Sequence, residues 1–277
     1  MERPVTRSAR PSPQSFALPL VGVDSHAHLD LDGLRGQCAE AVHRAEAAGV
    51  AWIGNVFLNP GAYFSNRDLF AAMEQVFFVL GVHPHESDRV DAATLSSLSE
   101  ALKGDPRIRG LGEIGLDFFR DWCPREDQVR AFRAQLALAR ELDMPVVIHS
   151  RDAERQTLDI LCDMGFADRP LLWHCFGGDR ALAAEILDAG WTISIPGTVT
   201  FRKSTRLQDA VSAIPVERMV LETDCPFLAP EPYRGKQNEP ALTVFTAQKI
   251  AELKDMDLET VWTRTGLNAR QFFGLRA

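Results

Sequence analysis

The sequence predicts an α/β fold, a (β/α)8 TIM barrel, and three observations carry that expectation. Short β-branched or apolar runs alternate with longer helical stretches from residue 20 onward. Eight such pairs fill the chain, and one barrel takes about 250 residues. Six of the seven histidines (His26, His28, His83, His85, His149 and His174) fall at the C-terminal ends of the strands so read. In a barrel those ends converge on one mouth, where active sites form. Alternation alone also fits a doubly wound sheet, because it does not prove closure.

Residues 1–19 hold Pro4, Pro11, Pro13 and Pro19 and read as a loosely ordered lead-in; residues 20–277 read as one barrel domain. Only Glu2 is acidic in the lead-in, so a transit peptide stays open. The first strand is Val21–His26, followed by a helix at Leu34–Ala48. The apolar runs Val50–Phe57 and Val76–Val82 are the second and third strands. A helix at Ala92–Lys103 leads to the fourth strand, Ile108–Ile114. The clearest helix spans Pro124–Leu142. Its proline sits where a first turn accepts one, and Val129, Phe132, Leu136, Ala139 and Leu142 recur at spacings of three and four. Pro145 marks the break before the fifth strand, Val146–His149. The strands Leu171–Cys175, Trp191–Ile195 and Met219–Thr223 then alternate with helices at Ala153–Met164, Arg180–Ala189 and Ser204–Ala213. Helices at Leu242–Leu253 and Leu258–Phe272 complete the pattern.

Apolar residues make up 45% of the chain and charged residues 25%, which excludes a largely disordered protein. No apolar run reaches the roughly 18–20 residues of a membrane span, so no membrane partner is expected. The net charge is −8, so no global basic field awaits a nucleic-acid polymer. Any such partner has to be held locally, over a few nucleotides. Five scattered cysteines without a C-x-x-C pair read as reduced thiols in a cytoplasmic protein. No obligate protein partner is evident.

The chemistry gathers at the strand ends. His26 and His28 stand two apart in Asp24-Ser25-His26-Ala27-His28, so on a strand they share a face and can grip one cation. Glu113 ends the fourth strand, His149 the fifth, His174 the sixth and Asp224 the eighth. Four imidazoles and two carboxylates at one mouth suffice for two divalent ions with a bridging carboxylate and positions open for water. His43, mid-helix beside Arg44, reads as an ordinary surface residue.

These residues carry a resemblance. D-x-H-x-H, GVHPH, GEIGLD, IHSRDA, HCFGG, ETDCP and NEP, in this order from about Val21 to Phe273, resemble the TatD family of metal-dependent hydrolases, amidohydrolase-like TIM barrels. The resemblance implies a two-metal nuclease. The expected activity is 3′-to-5′ exonuclease action on single-stranded DNA or RNA ends, with Mg²⁺, or Zn²⁺, Mn²⁺ or another divalent ion. It implies that His26 and His28 bind the first metal, that Glu113 bridges, and that His149 and His174 bind the second. It implies that Asp224 touches the first metal and the attacking water. His83 matches a residue near the substrate phosphate, and Asn238-Glu239-Pro240 the tail of a phosphate-side loop. The chain departs from the pattern at Phe118-Phe119, where tyrosines are usual, and at Lys236-Gln237, where an arginine often precedes the asparagine.

The residues leave several roles open. Asp224 can take the water's proton or serve as a plain ligand. Asp24 can orient a ligand imidazole or be a polar strand end. His83 can donate to a phosphate oxygen; His85 reads as peripheral or structural. Arg151, Arg234 and Lys236 are candidates for phosphate contacts or solvated charges. Phe118, Phe119 and Trp122 can stack on bases or pack beneath their loop. Fold and metals alone do not choose a substrate, so hydrolysis of amides, esters or lactones, including deacylation of mischarged aminoacyl-tRNA, is the alternative. Against it stands the absence of any strand-end lysine that could be carbamylated to bridge metals. A barrel kept only as a binding surface would not need six such groups together.

Overall fold

The structure is a computed structural model that describes residues 10–120 and 122–276. Eight parallel strands lie side by side in sequence order. They are β1 (Gly22–Ala27), β2 (Val50–Phe57), β3 (Val76–Leu80), β4 (Ile108–Asp117), β5 (Val146–Arg151), β6 (Leu171–Trp173), β7 (Thr192–Ile195) and β8 (Met219–Leu221). The first and last strands meet. Ala27 bridges Cys225, the His28 amide donates to the Cys225 carbonyl at 2.8 Å, and the Asp224 amide donates to the His26 carbonyl at 2.9 Å. Sequential order and joined ends make a TIM barrel and exclude the doubly wound sheet.

The helices between the strands are α1 (Cys38–Ala47), α2 (Pro60–Asn66), α3 (Ala92–Gly104), α4 (Arg125–Leu142), α5 (Glu154–Asp163), α6 (Arg180–Asp188) and α7 (Thr205–Ala213). After β8 come α8 (Thr243–Lys254) and α9 (Leu258–Phe273). All six residues of β1 and all five of β3 are buried, as expected of strands covered on both faces. One apolar cluster lies between strands and helices. A second gathers Val23, Phe77, Val79, Val147, Leu172 and Val220, residues of five different strands that can meet only inside the barrel. Phe273 of α9 closes its floor, with its ring centroid 4.6 Å from that of Phe77.

The differences from the sequence reading are local. Helix α2 was not expected: seven residues opening on Pro60-Gly61 carry too little periodicity. Asn59 caps it by accepting from the Ala62 amide at 2.7 Å. Pro124 precedes α4 instead of lying in its first turn. β4 runs three residues further, taking in Asp117, whereas β6 and β8 stop short of His174 and Asp224. Residues 1–9 of the expected lead-in lie outside the described residues. The rest of it docks: Phe16 packs edge-on against Phe245, and the Tyr233 hydroxyl donates to the Pro11 carbonyl at 3.1 Å.

Gly22 opens β1 where α9 presses closest. A Cβ there would lie 1.9 Å from the ring of Trp262, which is fully buried and donates from its indole to the Pro19 carbonyl. Gly22→Ala should therefore destabilise the protein by about 1–3 kcal/mol or more through overpacking. The thermal midpoint should fall by roughly 2–4 °C per kcal/mol. An unchanged midpoint would show that α9 can retreat from the barrel freely.

Candidate active site

The predicted ligands converge at the mouth in two groups that share one carboxylate. In the first, the Nε2 atoms of His26 and His28 face each other at 3.3 Å. Asp224 Oδ1 lies 3.4 Å from His28 Nε2 and 4.0 Å from His26 Nε2. Glu113 Oε2 lies 3.4 Å from His26 Nε2. A cation about 2.1 Å from each of two donors holds those donors roughly 3.0–3.4 Å apart at octahedral to tetrahedral angles. Most of these separations have that size. The other oxygen of Glu113, Oε1, makes a short contact with His149 Nδ1 and lies 3.4 Å from His174 Nε2 and 3.7 Å from His83 Nε2. The two oxygens of one buried carboxylate thus address different sets of imidazoles.

The outer nitrogens of three rings are tied down. His28 donates from Nδ1 to the Val56 carbonyl at 3.0 Å, His174 from Nδ1 to Glu222 Oε2 at 2.9 Å, and His149 from Nε2 to Asp117 Oδ2 at 3.2 Å. Each bond fixes the ring plane and leaves the opposite nitrogen aimed at the shared carboxylates. The fourth ring, His26, is stacked on His174 with centroids 3.6 Å apart. Three imidazole nitrogens fixed in this way, with carboxylate oxygens among them, fit a site for divalent cations.

The electrostatics point the same way. Burial works to raise the Glu113 carboxyl, but His174, His149 and His83 outweigh it and hold it well below the usual range. Burial works to lower the imidazoles, yet Glu222 and Glu113 push His174 up to about 10. Glu113 and Asp117 push His149 up to about 9. In His26 and His83 burial wins and the pKa falls. The carboxylates demand positive charge, which protons on the rings or cations between them can supply.

Other expected site residues take different places. His83 is buried in the second group, and its Nδ1 accepts from the His85 amide at 3.1 Å, which puts its proton on Nε2. His85 donates to the same Asp117 oxygen as His149, at 2.9 Å, and its ring meets Trp122 with centroids 4.5 Å apart. Arg151 is exposed at the end of β5, its guanidinium 3.9 Å from the centre of the Phe119 ring. Arg234 and Lys236 are exposed on the loop after β8. Phe118 packs against the core, while Phe119 and Trp122 stand in solvent.

Two expected substrate contacts are corrected. The Asn238 amide is buried and fully engaged, donating to the Thr223 and Phe227 carbonyls at 2.8 and 2.6 Å and accepting from the Glu239 amide at 3.0 Å. It has no free donor for a phosphate. Glu239 forms an ion pair with Arg44 of α1, with contacts of 2.5–3.0 Å, and so ties the loop to the barrel wall. Asp24 does not reach an imidazole either. Its carboxylate accepts from the Thr223 amide and hydroxyl at 2.9 and 2.6 Å and from the His26 amide at 3.3 Å, and burial pushes its pKa up to about 8.

Sequence reasoning missed Asp117 and Glu222, the carboxylates behind His149 and His174. A signal was present. Asp117 follows Glu113 by four residues along β4, and Glu222 precedes Asp224 by two. A second acid close to a predicted ligand at a strand end is where an outer partner would stand.

Comparison with known proteins places the chain among metal-dependent hydrolases. The family model for TatD related DNase matches residues 23–274. The chain is 38% identical over 265 residues to a Mycobacterium tuberculosis protein described as an uncharacterized metal-dependent hydrolase TatD, covering 91% of this chain and 98% of that one. It is 36% identical over 244 residues to an Erwinia amylovora protein named 3′-5′ ssDNA/RNA exonuclease TatD, covering 85% and 93%. The crystal structure of the TatD homologue YjjV from Escherichia coli superposes with a TM-score of 0.86 at 25% identity, covering 93% of this chain and 99% of that one. Among the described residues, no helix is long and apolar enough to cross a membrane.

Glu222 offers a test of the outer partners. Glu222→Ala removes the acceptor for His174 Nδ1 and for the Cys175 amide. Affinity for divalent metal should fall about 10–100-fold, the usual cost of losing such a partner. Titration of the metal-free variant with Mn²⁺ measures it. Unchanged affinity would mean that Glu222 only braces the loop.

Proposed function

The chain belongs to the TatD related DNase family of metal-dependent hydrolases, and from that premise we propose that it is a 3′-to-5′ exonuclease acting on single-stranded DNA or RNA ends with two divalent ions. The observation that carries the reading is Glu113, whose Oε2 faces His26 and whose Oε1 faces His149 and His174. His26, His28 and Asp224 would hold one ion, and His149 and His174 the other, with Glu113 between them. Such a pair lowers the pKa of a bound water and stabilises charge on the attacking and leaving oxygens of an in-line displacement.

The chain's own groups supply the rest. Asp224 is the most exposed of the two ligand carboxylates, and its Oδ1 sits beside His28 Nε2. We assign it the proton of the attacking water. Burial keeps His83 neutral near pH 7, with its proton on Nε2, so it can donate to a phosphate oxygen without bringing a net charge. Arg151, over the Phe119 ring, can meet a phosphate at the rim. Glu113 is buried away from bulk water, which strengthens the interactions at its own oxygens.

Two measurements test the reading. Chelation by EDTA should abolish release of nucleotides from single-stranded oligonucleotides, and Mg²⁺ or Mn²⁺ should restore it. Full activity in verified metal-free protein, or turnover of aminoacyl-tRNA or lactones but not of oligonucleotides, would overturn it.

Glu113→Ala should lose metal from both groups together and reduce turnover by several orders of magnitude. His85→Ala should keep its metal and most of its activity, because the His85 side chain faces Asp117 and the edge of the His83 ring, not a proposed ion, and the variant keeps the backbone amide that bonds His83. Comparable metal content in the two variants would remove Glu113 from the bridging position.

A further inference from the structure

Two loops beside the site carry a charge that the whole-chain value conceals. The loop after β7 (residues 196–204) contains Arg202 and Lys203, and the loop after β8 (residues 226–237) contains Arg234 and Lys236. Against these four cations the two stretches hold one carboxylate, Glu231, in a protein of net charge −8; Glu222, Asp224 and Glu239, which flank the second stretch, face His174, His28 and Arg44. All four are exposed, and none pairs with a carboxylate among the described residues. Nearby helix residues behave differently: Arg180 is tied to Asp209 and Arg206 to Asp179.

The loops form one surface. The Glu231 amide donates to Thr200 Oγ1 at 2.8 Å. The Arg234 guanidinium lies 4.2 Å from the centre of the Phe201 ring. Gly197 packs so closely that a Cβ there would lie 2.9 Å from the Leu228 carbonyl. The buried Asn238 amide braces the base of the second loop from below. A surface held in this way loses little freedom on binding. Aromatic area is also presented: Phe227 is 53% exposed, and its amide donates to the Asp224 carbonyl at 3.0 Å. The surface therefore begins three residues from a proposed metal ligand.

We infer that these two loops are a docking shelf for the part of a single-stranded nucleic acid that trails away from the scissile end. Arg202, Lys203, Arg234 and Lys236 meet its phosphates and Phe227 meets a base. This rests on the nuclease reading and extends it. Unpaired cations beside an exposed aromatic ring are what a flexible polyanion with flat bases requires. An acidic peptide would use the cations but not the ring. The shelf also revises the grip of a few nucleotides expected from net charge. Four phosphate contacts on a single strand add about −2.8 to the slope of log affinity against log salt, at roughly −0.7 per phosphate.

The test uses the full chain loaded with Ca²⁺ and fluorescent 5- and 25-nucleotide strands of mixed DNA sequence. Anisotropy gives the affinity across a salt series. The expected result is that the wild-type protein binds the 25-mer at least tenfold more tightly than the 5-mer. The Arg202→Glu/Lys203→Glu variant loses most of that advantage, and its salt slope is shallower by about 1.4, two phosphates' worth. Phe227→Ala weakens the 25-mer without changing the slope, which separates stacking from charge. Equal affinity for the two lengths, or a double variant that keeps the length advantage, overturns the shelf. So does retention of an acidic peptide of matched charge with the same affinity as the 25-mer. Nucleotide release with Mn²⁺, followed in parallel, reports on the nuclease reading separately. Binding through the shelf without release would reject the reaction and retain the surface.

Discussion

A carboxylate taken out of water needs positive charge close by, and Glu113 sits where that requirement is most severe. It is 3% exposed and has four imidazoles around its two oxygens. An isolated buried charge would cost several kcal/mol or more, and folding would select against it. The arrangement is tolerable because each oxygen finds its own partners and three of the rings at the mouth are restrained from behind. Asp117 stands behind His149, Glu222 behind His174, and the Val56 carbonyl behind His28. These restraints add more negative charge, so they deepen the demand for cations while aiming the rings that would share them. A centre built in this way is specified for cations by its charge balance before any substrate is considered.

The same constraint ties the site to the closure of the barrel. The bonds that join β8 to β1 are made by the backbone of His26, His28, Asp224 and Cys225, residues that also place the first group of ligands. Asp24 secures this seam from the side, accepting three bonds that link Thr223 to the start of β1. The pairing of β1 with β2 shifts register between Asp24 and Ala27, the kind of irregularity that re-aims side chains near active sites. Closing the sheet and bringing His28 to Asp224 are therefore one event. A fold whose seam lay elsewhere would leave these two strands free to part where the ligands must meet.

The sequence showed the strands and the ligands because both follow simple periodic rules. A fully buried parallel strand is a short apolar run, and a ligand at its end is a polar residue where such a run stops. That logic located β2 to the residue and placed His26, His28, Glu113, His149, His174 and Asp224 at one mouth. It failed where meaning depends on what lies across space. Asn238 and Glu239 follow β8 and match a family motif, yet one is spent on backbone carbonyls and the other on Arg44, 195 positions away. Asp117 and Glu222 stand in full view beside predicted ligands, but only the third dimension shows which ring each one holds. Helix α2 escaped because a seven-residue element capped by Asn59 relies on one hydrogen bond and its neighbours more than on its own pattern.

Net charge misled for a related reason: it averages over surfaces that do different work. Along the outer helices opposite charges largely cancel in pairs, Arg133 with Asp163, Arg155 with Glu185, Arg180 with Asp209 and Arg206 with Asp179. Such exposed pairs contribute little stability, but they remove those cations from the long-range field. Among the cations without such a carboxylate partner, five stand at the mouth. Arg151 ends β5 at the mouth, and Arg202, Lys203, Arg234 and Lys236 stand on loops there; Arg151 and Arg234 lie over phenylalanine rings. With a Debye length of about 8 Å at physiological salt, a ligand near the mouth responds to these groups and hardly to the acids on the far wall. An acidic chain can therefore repel a polyanion at a distance and hold it at contact, a combination suited to an end that must be captured, trimmed and released.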